Sequence, residues 1–271
     1  MAAKFKVGII GLGAMGRCIV SGLLDSKEMA ASEIGFTTRQ AGTAKPLADE
    51  LGITACKDNL DLVARCETIV LAIKPQNLSE VLAEIAPKLK PGQTLVSIVA
   101  SFSTGVVESQ LAGPVAVLRA MPNTPTLVRE GITAICAGKY VKEEDWSRAC
   151  RIFESVGKVV RIEEKHMDGV TGLSGSGPAF VYVVLESLTE AGVKVGLPRD
   201  LAIQLASQTV LGAAKMLQET GRHPASLKDD VTTPAGCTIE GLMALEEGKL
   251  RVTLIKAVAK SAARASSLSC S

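Results

Sequence analysis

The sequence predicts an α/β protein with a mostly parallel sheet in its N-terminal part and an all-helical C-terminal part. Strand-like and helix-like segments alternate up to about residue 163, and no convincing strand follows from His166 onward. A glycine-rich turn comes directly after the first strand-like run. Continuous apolar strands that alternate with helices indicate a parallel sheet covered on both faces.

The first strand-helix unit carries the most informative motif. The apolar run Val7–Ile10 leads into G-x-G-x-x-G, after which Met15, Ile19 and Leu23 follow at helical spacing. This context predicts a Rossmann-type dinucleotide site, in which the glycines permit a tight turn, close approach of a pyrophosphate and close helix packing. The N–H groups at the helix start favour phosphate. A purely structural glycine turn is the alternative. The residues predicted to contact the cofactor here are Gly11, Leu12, Gly13, Ala14, Met15 and Gly16.

The remaining elements of this half follow from apolar runs, helical spacing and turn residues. Further strands are predicted near 33–37, 53–55, 68–73, 94–99, 115–119, 132–137 and 158–162. Helices are predicted near 43–51, 58–65, 77–86, 104–111 and 143–155. We therefore expect residues 1–163 to form a dinucleotide-binding Rossmann-type domain.

The residue pattern of the second half predicts only helices. They lie near 166–172, 177–192, 198–220, 224–229, 235–247 and 249–266. Gly-Pro, Leu-Pro and His-Pro pairs separate several of them. Many of these helices are rich in Ala, Gly, Val and Leu on several sides, which is typical of helices that another subunit buries. We expect residues 164–271 to form a helical substrate-binding and dimerisation domain.

Composition narrows the classes of partner. The 271 residues carry a net charge of +2 and contain no run of five or six like charges, so nothing favours nucleic acid or an anionic membrane. No apolar run reaches the length of a membrane span. The seven cysteines are scattered and the two histidines complete no zinc pattern, so we expect reduced thiols and no metal. Because the first residues lead directly into the first predicted strand, we expect no signal peptide. We expect a cytoplasmic protein.

The end of the second strand predicts the choice of nicotinamide cofactor. An acidic residue at this place accepts hydrogen bonds from the ribose of NAD. Here Thr37, Thr38 and Arg39 stand instead, and hydroxyl and guanidinium groups suit a 2′-phosphate. NADP(H) is therefore favoured, with NAD(H) as an alternative cofactor. The threonines could otherwise form an ordinary turn.

Further cofactor contacts are expected where the other strands end, because ligands bind at the carboxyl edge of such sheets. Lys74 follows an apolar strand directly, although it could also be a solvated loop lysine. The segment Met121–Pro125 predicts a rigid loop beside the nicotinamide. The residues predicted at these strand ends are Ala72, Ile73, Lys74, Pro75, Ala100 and Asn123.

A second site is predicted in the helical half. The small-residue run 171–179 opens a helix, and it is either a simple turn or a surface against cofactor or substrate. The loop at 229–240 enters an apolar helix, whose free N–H groups suit a carboxylate. Thr238 adds a hydroxyl there. Cys237 has no histidine or second cysteine near it in the sequence, so we interpret it as a small packing residue rather than a nucleophile. No nucleophilic triad is visible, and hydride transfer requires none.

The sequence resembles the pyrroline-5-carboxylate reductase family over nearly its whole length. The segments that carry the resemblance are 121–125, 171–178, 231–238 and the pairs Gly241-Leu242 and Leu245-Glu246. The resemblance implies a Rossmann-type domain followed by an interlocked helical dimer, often assembled into a decamer. It also implies reduction of the cyclic imine 1-pyrroline-5-carboxylate to L-proline with NAD(P)H, the last step of proline biosynthesis.

The resemblance also implies roles for individual residues. Thr38 would contact the 2′-phosphate and Asn59 would approach the adenosine, while Lys74 and Ala100 would line the cofactor cleft. The residues implied to bind substrate are Ser176, Gly236, Cys237 and Thr238, with Thr238 as the catalytic residue near the ring nitrogen. Asp230 departs from the family pattern, in which an asparagine is frequent.

Two other functions are compatible with parts of the sequence. A 3-hydroxyacid dehydrogenase opens with a similar glycine motif, but it would carry a catalytic lysine where this chain has Val181 and Tyr182. A nucleotide-binding regulatory protein without turnover is the other alternative. The intact segment 232–238 argues against it.

Overall fold

The computed structural model describes residues 4–39 and 41–269. Contacts divide the chain into two compact units. One comprises the described residues up to 175 together with residues 261–269, and the other comprises residues 176–260.

Eight strands of the described residues form a single sheet in the first unit. They are β1 (Phe5–Ile10), β2 (Ile34–Thr37), β3 (Thr54–Ala55), β4 (Cys66–Leu71), β5 (Thr94–Ser97), β6 (Ala116–Met121), β7 (Gly131–Ala137) and β8 (Gly157–Arg161). Their order in the sheet is β3-β2-β1-β4-β5-β6-β7-β8. The β6–β7 pair is antiparallel and every other neighbouring pair is parallel, which confirms the predicted mostly parallel sheet.

Helices connect these strands across both faces of the sheet. They are α1 (Ala14–Asp25), α2 (Ala41–Leu51), α3 (Asn59–Arg65), α4 (Leu78–Ile85), α5 (Thr104–Ser109), α6 (Glu143–Glu154) and α7 (Met167–Val170). The chain runs outward from β1 to β3 and then returns to the other side of β1 at β4. This reversal creates a switch point between β1 and β4, where open α/β sheets bind their ligands.

Alternate residues of the central strands face two separate hydrophobic clusters. Val70 and Val96 belong to the cluster that α1 and α6 cover. Their neighbours Ile69, Leu71 and Leu95 belong to the cluster that α3, α4 and α5 cover. Both faces of the sheet are therefore buried, which explains why its strands read as continuous apolar runs.

The element bounds differ from the predicted ones by about two residues at some ends. β4 ends at Leu71 rather than near 73, and the Ala72 N–H then donates to the Ile10 carbonyl where the two strands end. β6 continues to Met121 because it pairs there with Ala134 of β7. Where a helix was predicted near 166–172, α7 is short and passes into a π-helical turn over Thr171–Gly175.

The second unit consists of helices, as predicted. They are α8 (Gly177–Lys194), α9 (Arg199–Thr220), α10 (Pro224–Asp230), α11 (Cys237–Glu247) and the beginning of α12 (Leu250–Ser269). α8 and α9 approach closely, since a Cβ on Gly192 would lie 2.8 Å from the Ala202 Cβ. A left-handed Gly221 ends α9, and the His223 side chain caps α10 by accepting from the Ala225 N–H.

These helices leave many large apolar side chains exposed within the second unit. Those at least 49% exposed are Tyr182, Val183, Val195, Ile203, Leu205, Leu211, Met216, Val231, Met243, Leu245 and Ile255. So many exposed apolar side chains on neighbouring helices are typical of a surface that another protein subunit covers. The observation agrees with the predicted burial of this half by a second subunit.

The lengths of the apolar helices and the state of the cysteines bear on what composition predicts. None of the helices in the described residues is both long and apolar enough to cross a membrane. The six described cysteines are free thiols. Burial raises the pKa of Cys56 to about 11 and that of Cys136 to about 12, so both thiols stay protonated at neutral pH.

Asp145 connects the first turn of α6 to the sheet. Its carboxylate accepts hydrogen bonds from the Thr94 hydroxyl at 2.6 Å, the Lys142 N–H at 2.8 Å and the Arg148 guanidinium at 2.7 Å. Burial by itself would raise the pKa of Asp145, but these three hydrogen bonds outweigh it and hold the pKa below its ordinary value.

We expect Asp145→Asn to lower the free energy of unfolding by about 1–3 kcal/mol at pH 7. A depressed pKa stabilises the folded state above the unfolded-state value of about 4, and this stabilisation is lost as the pH falls through the folded-state pKa. The deficit of the variant should therefore shrink in acid. Urea unfolding at pH 7 and pH 3, at one protein concentration, measures it.

Glu144→Gln is the matched control, because Glu144 lies in the same helical turn but is exposed. Its unfolding free energy should stay within about 0.5 kcal/mol of the unaltered protein. A deficit in Asp145→Asn that is the same at both pH values would contradict the assigned role of the carboxylate.

Candidate functional site

The glycine turn after β1 has a geometry that requires glycine. Gly11 has a φ of +93°, and a Cβ there would lie 2.6 Å from the Ala72 carbonyl oxygen. Its N–H donates to the Thr37 carbonyl at 3.0 Å. The turn is therefore held between the ends of β2 and β4, at the switch point of the sheet.

The other two glycines of the motif control what can approach this turn. A Cβ on Gly16 would collide with the Gly11 carbonyl, so α1 can pack directly on the turn only without a side chain at this position. Gly13 faces open space, and no side chain caps the start of α1. The predicted roles of Gly11 and Gly16 in turn and packing are confirmed. The opening at Gly13 is what approach of a pyrophosphate needs.

A cleft of about 740 Å³ extends from this turn along the carboxyl edge of the sheet. It brings together predicted cofactor residues from three strand ends. Those that line it are Gly11, Leu12, Gly13, Thr38, Arg39, Ala72, Ile73 and Lys74. Arg39 and Lys74 make no ion pair within residues 4–39 and 41–269, so both cations remain available to phosphate groups.

A smaller pocket of about 190 Å³ adjoins the cleft at the end of β2. Thr37 and Asn59 line it together with Thr38 and Arg39. The Thr37 hydroxyl donates to Asn59 Oδ1 at 2.6 Å, and Asn59 Nδ2 donates to the Glu84 carboxylate at 2.7 Å. Of the residues predicted for the adenosine end of the cofactor, Thr37 and Asn59 are therefore in direct contact, and all four line the same pocket.

Other predicted cofactor residues do not line the cleft. Ala14 lines a separate pocket beside Thr126, and the Thr126 hydroxyl also donates to the Met15 sulfur. Ala100 packs with Met121 and the other buried residues of its cluster. Pro75 begins a short 3-10 turn. The cofactor contacts of these residues stay predictions.

Asn123 has a clear structural task. Its Nδ2 donates to the Ser174 carbonyl at 3.1 Å, while its Oδ1 accepts from the Ile132 N–H at 3.0 Å. The amide thus joins the loop after β6 to β7 and to the π-helical turn before Ser176. A contact of Asn123 with the cofactor stays a prediction.

Sequence reasoning missed several residues on the walls of these pockets. Asn77, Glu80 and Glu84 line the smaller pocket, and Gln76 and Thr43 line the cleft. The spacing of Glu80, Val81 and Glu84 places them on one face of α4, which Asn77 directly precedes, and this spacing was available as a signal. The sequence alone does not show that this face lines the pocket, because its position follows from the return of the chain from β3 to β4.

The second predicted site lies in the loop between α10 and α11. The left-handed Ala235, with a φ of +54°, precedes Gly236 at the start of α11. No side chain caps this helix, so its first N–H groups are open to an anionic ligand. Cys237 is exposed and Thr238 half-buried in the first turn. An open helix start of this kind is compatible with the carboxylate site that the sequence predicts, and carboxylate binding at this loop stays a prediction.

Asp230 at the end of α10 and Ser176 before α8 are the two other residues that the resemblance singles out in this part of the chain. Asp230 pairs with Arg222 at 2.6 Å, and the hydrogen bond from this guanidinium holds the pKa of Asp230 below its ordinary value. The negative charge of Asp230 is therefore paired with a positive charge within the second unit. Ser176 precedes α8, and its carbonyl accepts from the Ala179 N–H at 3.0 Å.

Comparison with known proteins identifies the family. Residues 164–268 match a family model described as pyrroline-5-carboxylate reductase dimerisation, and residues 6–101 match one described as NADP oxidoreductase, coenzyme F420-dependent. A pyrroline-5-carboxylate reductase from Glycine max is 40% identical over 268 residues, which are 99% of this chain and 97% of that relative. The chain belongs to the pyrroline-5-carboxylate reductase family.

Solved structures agree with this assignment. A pyrroline-5-carboxylate reductase from Coxiella burnetii superposes with a TM-score of 0.92 at 33% identity and covers 98% of this chain and 99% of its own. A pyrroline carboxylate reductase from Plasmodium falciparum with NADP bound has a TM-score of 0.87 at 32% identity, with 98% of both chains covered. The resemblance and the fold inferred from the sequence are confirmed.

Gly13 offers a direct test of the cofactor cleft. We expect Gly13→Ala to leave the melting temperature within about 2 °C, because the added Cβ meets no atom of the protein. It should weaken NADPH binding at least about tenfold by keeping the pyrophosphate away from the helix start. Calorimetric titration with NADPH measures the change.

Gly105→Ala is the matched control, since a Cβ there also meets open space but lies on α5, away from the cleft lining. Its NADPH affinity should equal that of the unaltered protein. Equal affinities of both variants would contradict the placement of the pyrophosphate at Gly13.

Proposed function

We propose that the protein reduces 1-pyrroline-5-carboxylate to L-proline with NAD(P)H, with NADPH favoured, as the last step of proline biosynthesis. The observation that carries this proposal is the pairing, in one chain of this family, of a dinucleotide cleft at Gly11–Gly16 with an uncapped helix start at Cys237–Thr238. The first suits a nicotinamide cofactor, and the second suits a small carboxylate with a polar ring atom beside it.

We assign the two activities to two parts of the chain. Residues 1–163 bind the dinucleotide, and residues 164–271 bind the substrate and dimerise. The exposed apolar side chains of α8, α9 and α11 support the second assignment.

The cofactor residues fall into three groups by chemistry. Gly11–Gly16 receive the pyrophosphate at the start of α1, where backbone N–H groups and the helix dipole favour negative charge. Thr37, Thr38, Arg39 and Asn59 receive the adenosine end. Residues from the later strand ends line the remainder, namely Ala72, Ile73, Lys74, Pro75, Ala100 and Asn123.

Substrate binding requires an anchor for the carboxylate and a polar group for the ring nitrogen. The N–H groups of Gly236, Cys237 and Thr238 surround the start of α11, and Ser176 lies at the start of α8. We propose that the helix start holds the carboxylate while the Thr238 hydroxyl contacts the nitrogen. Proximity and orientation then supply most of the acceleration.

The reaction needs one hydride and one proton. NAD(P)H bound in the cleft would supply the hydride that reduces the C=N carbon. An imine accepts hydride most readily when its nitrogen carries a proton taken from solvent. The protonated nitrogen can then donate a hydrogen bond to the Thr238 hydroxyl or to a water molecule. No strong acid or base is required in the loop, which agrees with the residues found at 232–238.

Assembly and location complete the proposal. The match of residues 164–268 to a dimerisation model, together with the exposed apolar helices, supports a homodimer. We propose that dimers associate further into a decamer, and that the protein works in the cytoplasm with its thiols reduced. Light scattering in solution measures the assembly.

Thr238 tests the proposed chemistry. We expect Thr238→Ala to lower kcat/KM for 1-pyrroline-5-carboxylate several-fold or more, because the hydroxyl beside the ring nitrogen is lost. The affinity for NADPH should be nearly unchanged. Thr238→Ser keeps the hydroxyl and should retain most of the activity. An unchanged kcat/KM in Thr238→Ala would remove this residue from the mechanism.

Arg39 tests the preference for the phosphorylated cofactor. Arg39→Ala should raise the Kd for NADPH about tenfold, because a charge-assisted hydrogen bond is worth about 1.5–3 kcal/mol. The Kd for NADH should change by less than about twofold. Titrations at low and high salt should show that the loss in NADPH affinity shrinks with ionic strength. Equal losses for both cofactors would contradict a contact between Arg39 and the 2′-phosphate.

A further inference from the structure

A chain of hydrogen bonds joins three elements of the first unit in the smaller pocket. Thr37 ends β2, Asn59 begins α3 and Glu84 lies on α4. The Thr37 hydroxyl donates to Asn59 Oδ1 at 2.6 Å, and Asn59 Nδ2 donates to Glu84 Oε2 at 2.7 Å. Thr37 is only 7% exposed, so its hydroxyl has few alternative partners.

Glu84 determines the direction of this chain. An ionised carboxylate can only accept hydrogen bonds, so it must face an N–H of the Asn59 amide. The amide oxygen then has to face Thr37. A hydroxyl has a single proton, and Thr37 donates it to Asn59. The Thr37 oxygen can therefore only accept a hydrogen bond from a ligand in the pocket.

A hydroxyl that can only accept discriminates between the two nicotinamide cofactors. The ribose 2′-OH of NADH can donate to it. The 2′-phosphate of NADPH is an acceptor and also carries negative charge, so it gains no hydrogen bond from Thr37 in this arrangement. Glu80 and Glu84 add two negative charges to the same wall, while Thr38 and Arg39 oppose them with donors.

We propose that Glu84 is a specificity-determining residue that limits the preference for NADPH over NADH. It acts through Asn59, whose fixed amide makes the Thr37 hydroxyl an acceptor. Without the carboxylate the amide can turn, so that its N–H faces Thr37 and the hydroxyl proton becomes free for a phosphate oxygen. The inference rests on the proposed function only in that the cleft receives a nicotinamide dinucleotide.

The test measures binding rather than turnover. The Kd values of the full-length protein for NADP⁺ and NAD⁺ are obtained by calorimetry, and their ratio is compared between variants. Glu84→Gln keeps the size of the side chain and lets the Asn59 amide turn. We expect the preference for NADP⁺ to rise at least about fivefold, the equivalent of one typical hydrogen bond.

Glu80→Gln is the matched control. It removes one negative charge from the same wall, and Glu80 makes none of the hydrogen bonds that orient Asn59. If charge alone mattered, the two variants would shift the ratio equally, and that result would overturn the proposal. Glu84→Ala gives a second way to release the amide and should shift the ratio in the same direction as Glu84→Gln.

A double variant tests the route through Thr37. In Thr37→Val the hydroxyl is absent, so adding Glu84→Gln should change the ratio no more than adding Glu80→Gln does. A full effect of Glu84→Gln in this background would overturn the route through Thr37. Binding of both dinucleotides with an unchanged ratio in Glu84→Gln contradicts this inference alone, whereas no dinucleotide binding by the unaltered protein contradicts the proposed function itself.

Discussion

The contact between Gly16 and the Gly11 carbonyl is the constraint on which the rest of the cofactor cleft depends. A side chain at residue 16 would push α1 away from the turn, and a side chain at residue 11 would collide with the Ala72 carbonyl. Because neither is present, the start of α1 lies directly over the switch point between β1 and β4. Open N–H groups, the helix dipole and the ends of three parallel strands thereby converge on one edge of the sheet.

The polar residues at this edge divide the task of recognition. Arg39 and Lys74 supply positive charge, whereas the network of Thr37, Asn59 and Glu84 supplies hydrogen-bond direction. A charge can attract a phosphate over several ångströms, but a fixed donor or acceptor distinguishes a phosphate from a hydroxyl. The balance between these two effects, rather than any single residue, sets the preference between NADPH and NADH in the proposed site.

Much of this arrangement can be predicted from the sequence because it depends on local signals. Each signal spans only a few residues of sequence: the glycine spacing, the apolar strands and the proline-containing pairs that separate the C-terminal helices. The structure confirms the elements that these signals predict. Local spacing could place Glu84 on one face of α4, but it could not show the contact with Asn59, which lies 25 residues away and on another helix. The role of Asn123 in joining a loop to the π-helical turn near Ser174 is likewise a contact between distant segments.

Reduction of 1-pyrroline-5-carboxylate by this protein is tested most directly by following the near-ultraviolet absorbance of NADPH in the presence of this imine, with a parallel measurement with NADH. We expect rapid oxidation of NADPH, formation of proline in equal amount and slower oxidation of NADH. Tight NADPH binding without oxidation by this imine would contradict the proposed reaction and would favour a hydroxyacid dehydrogenase or a nucleotide-binding regulatory protein.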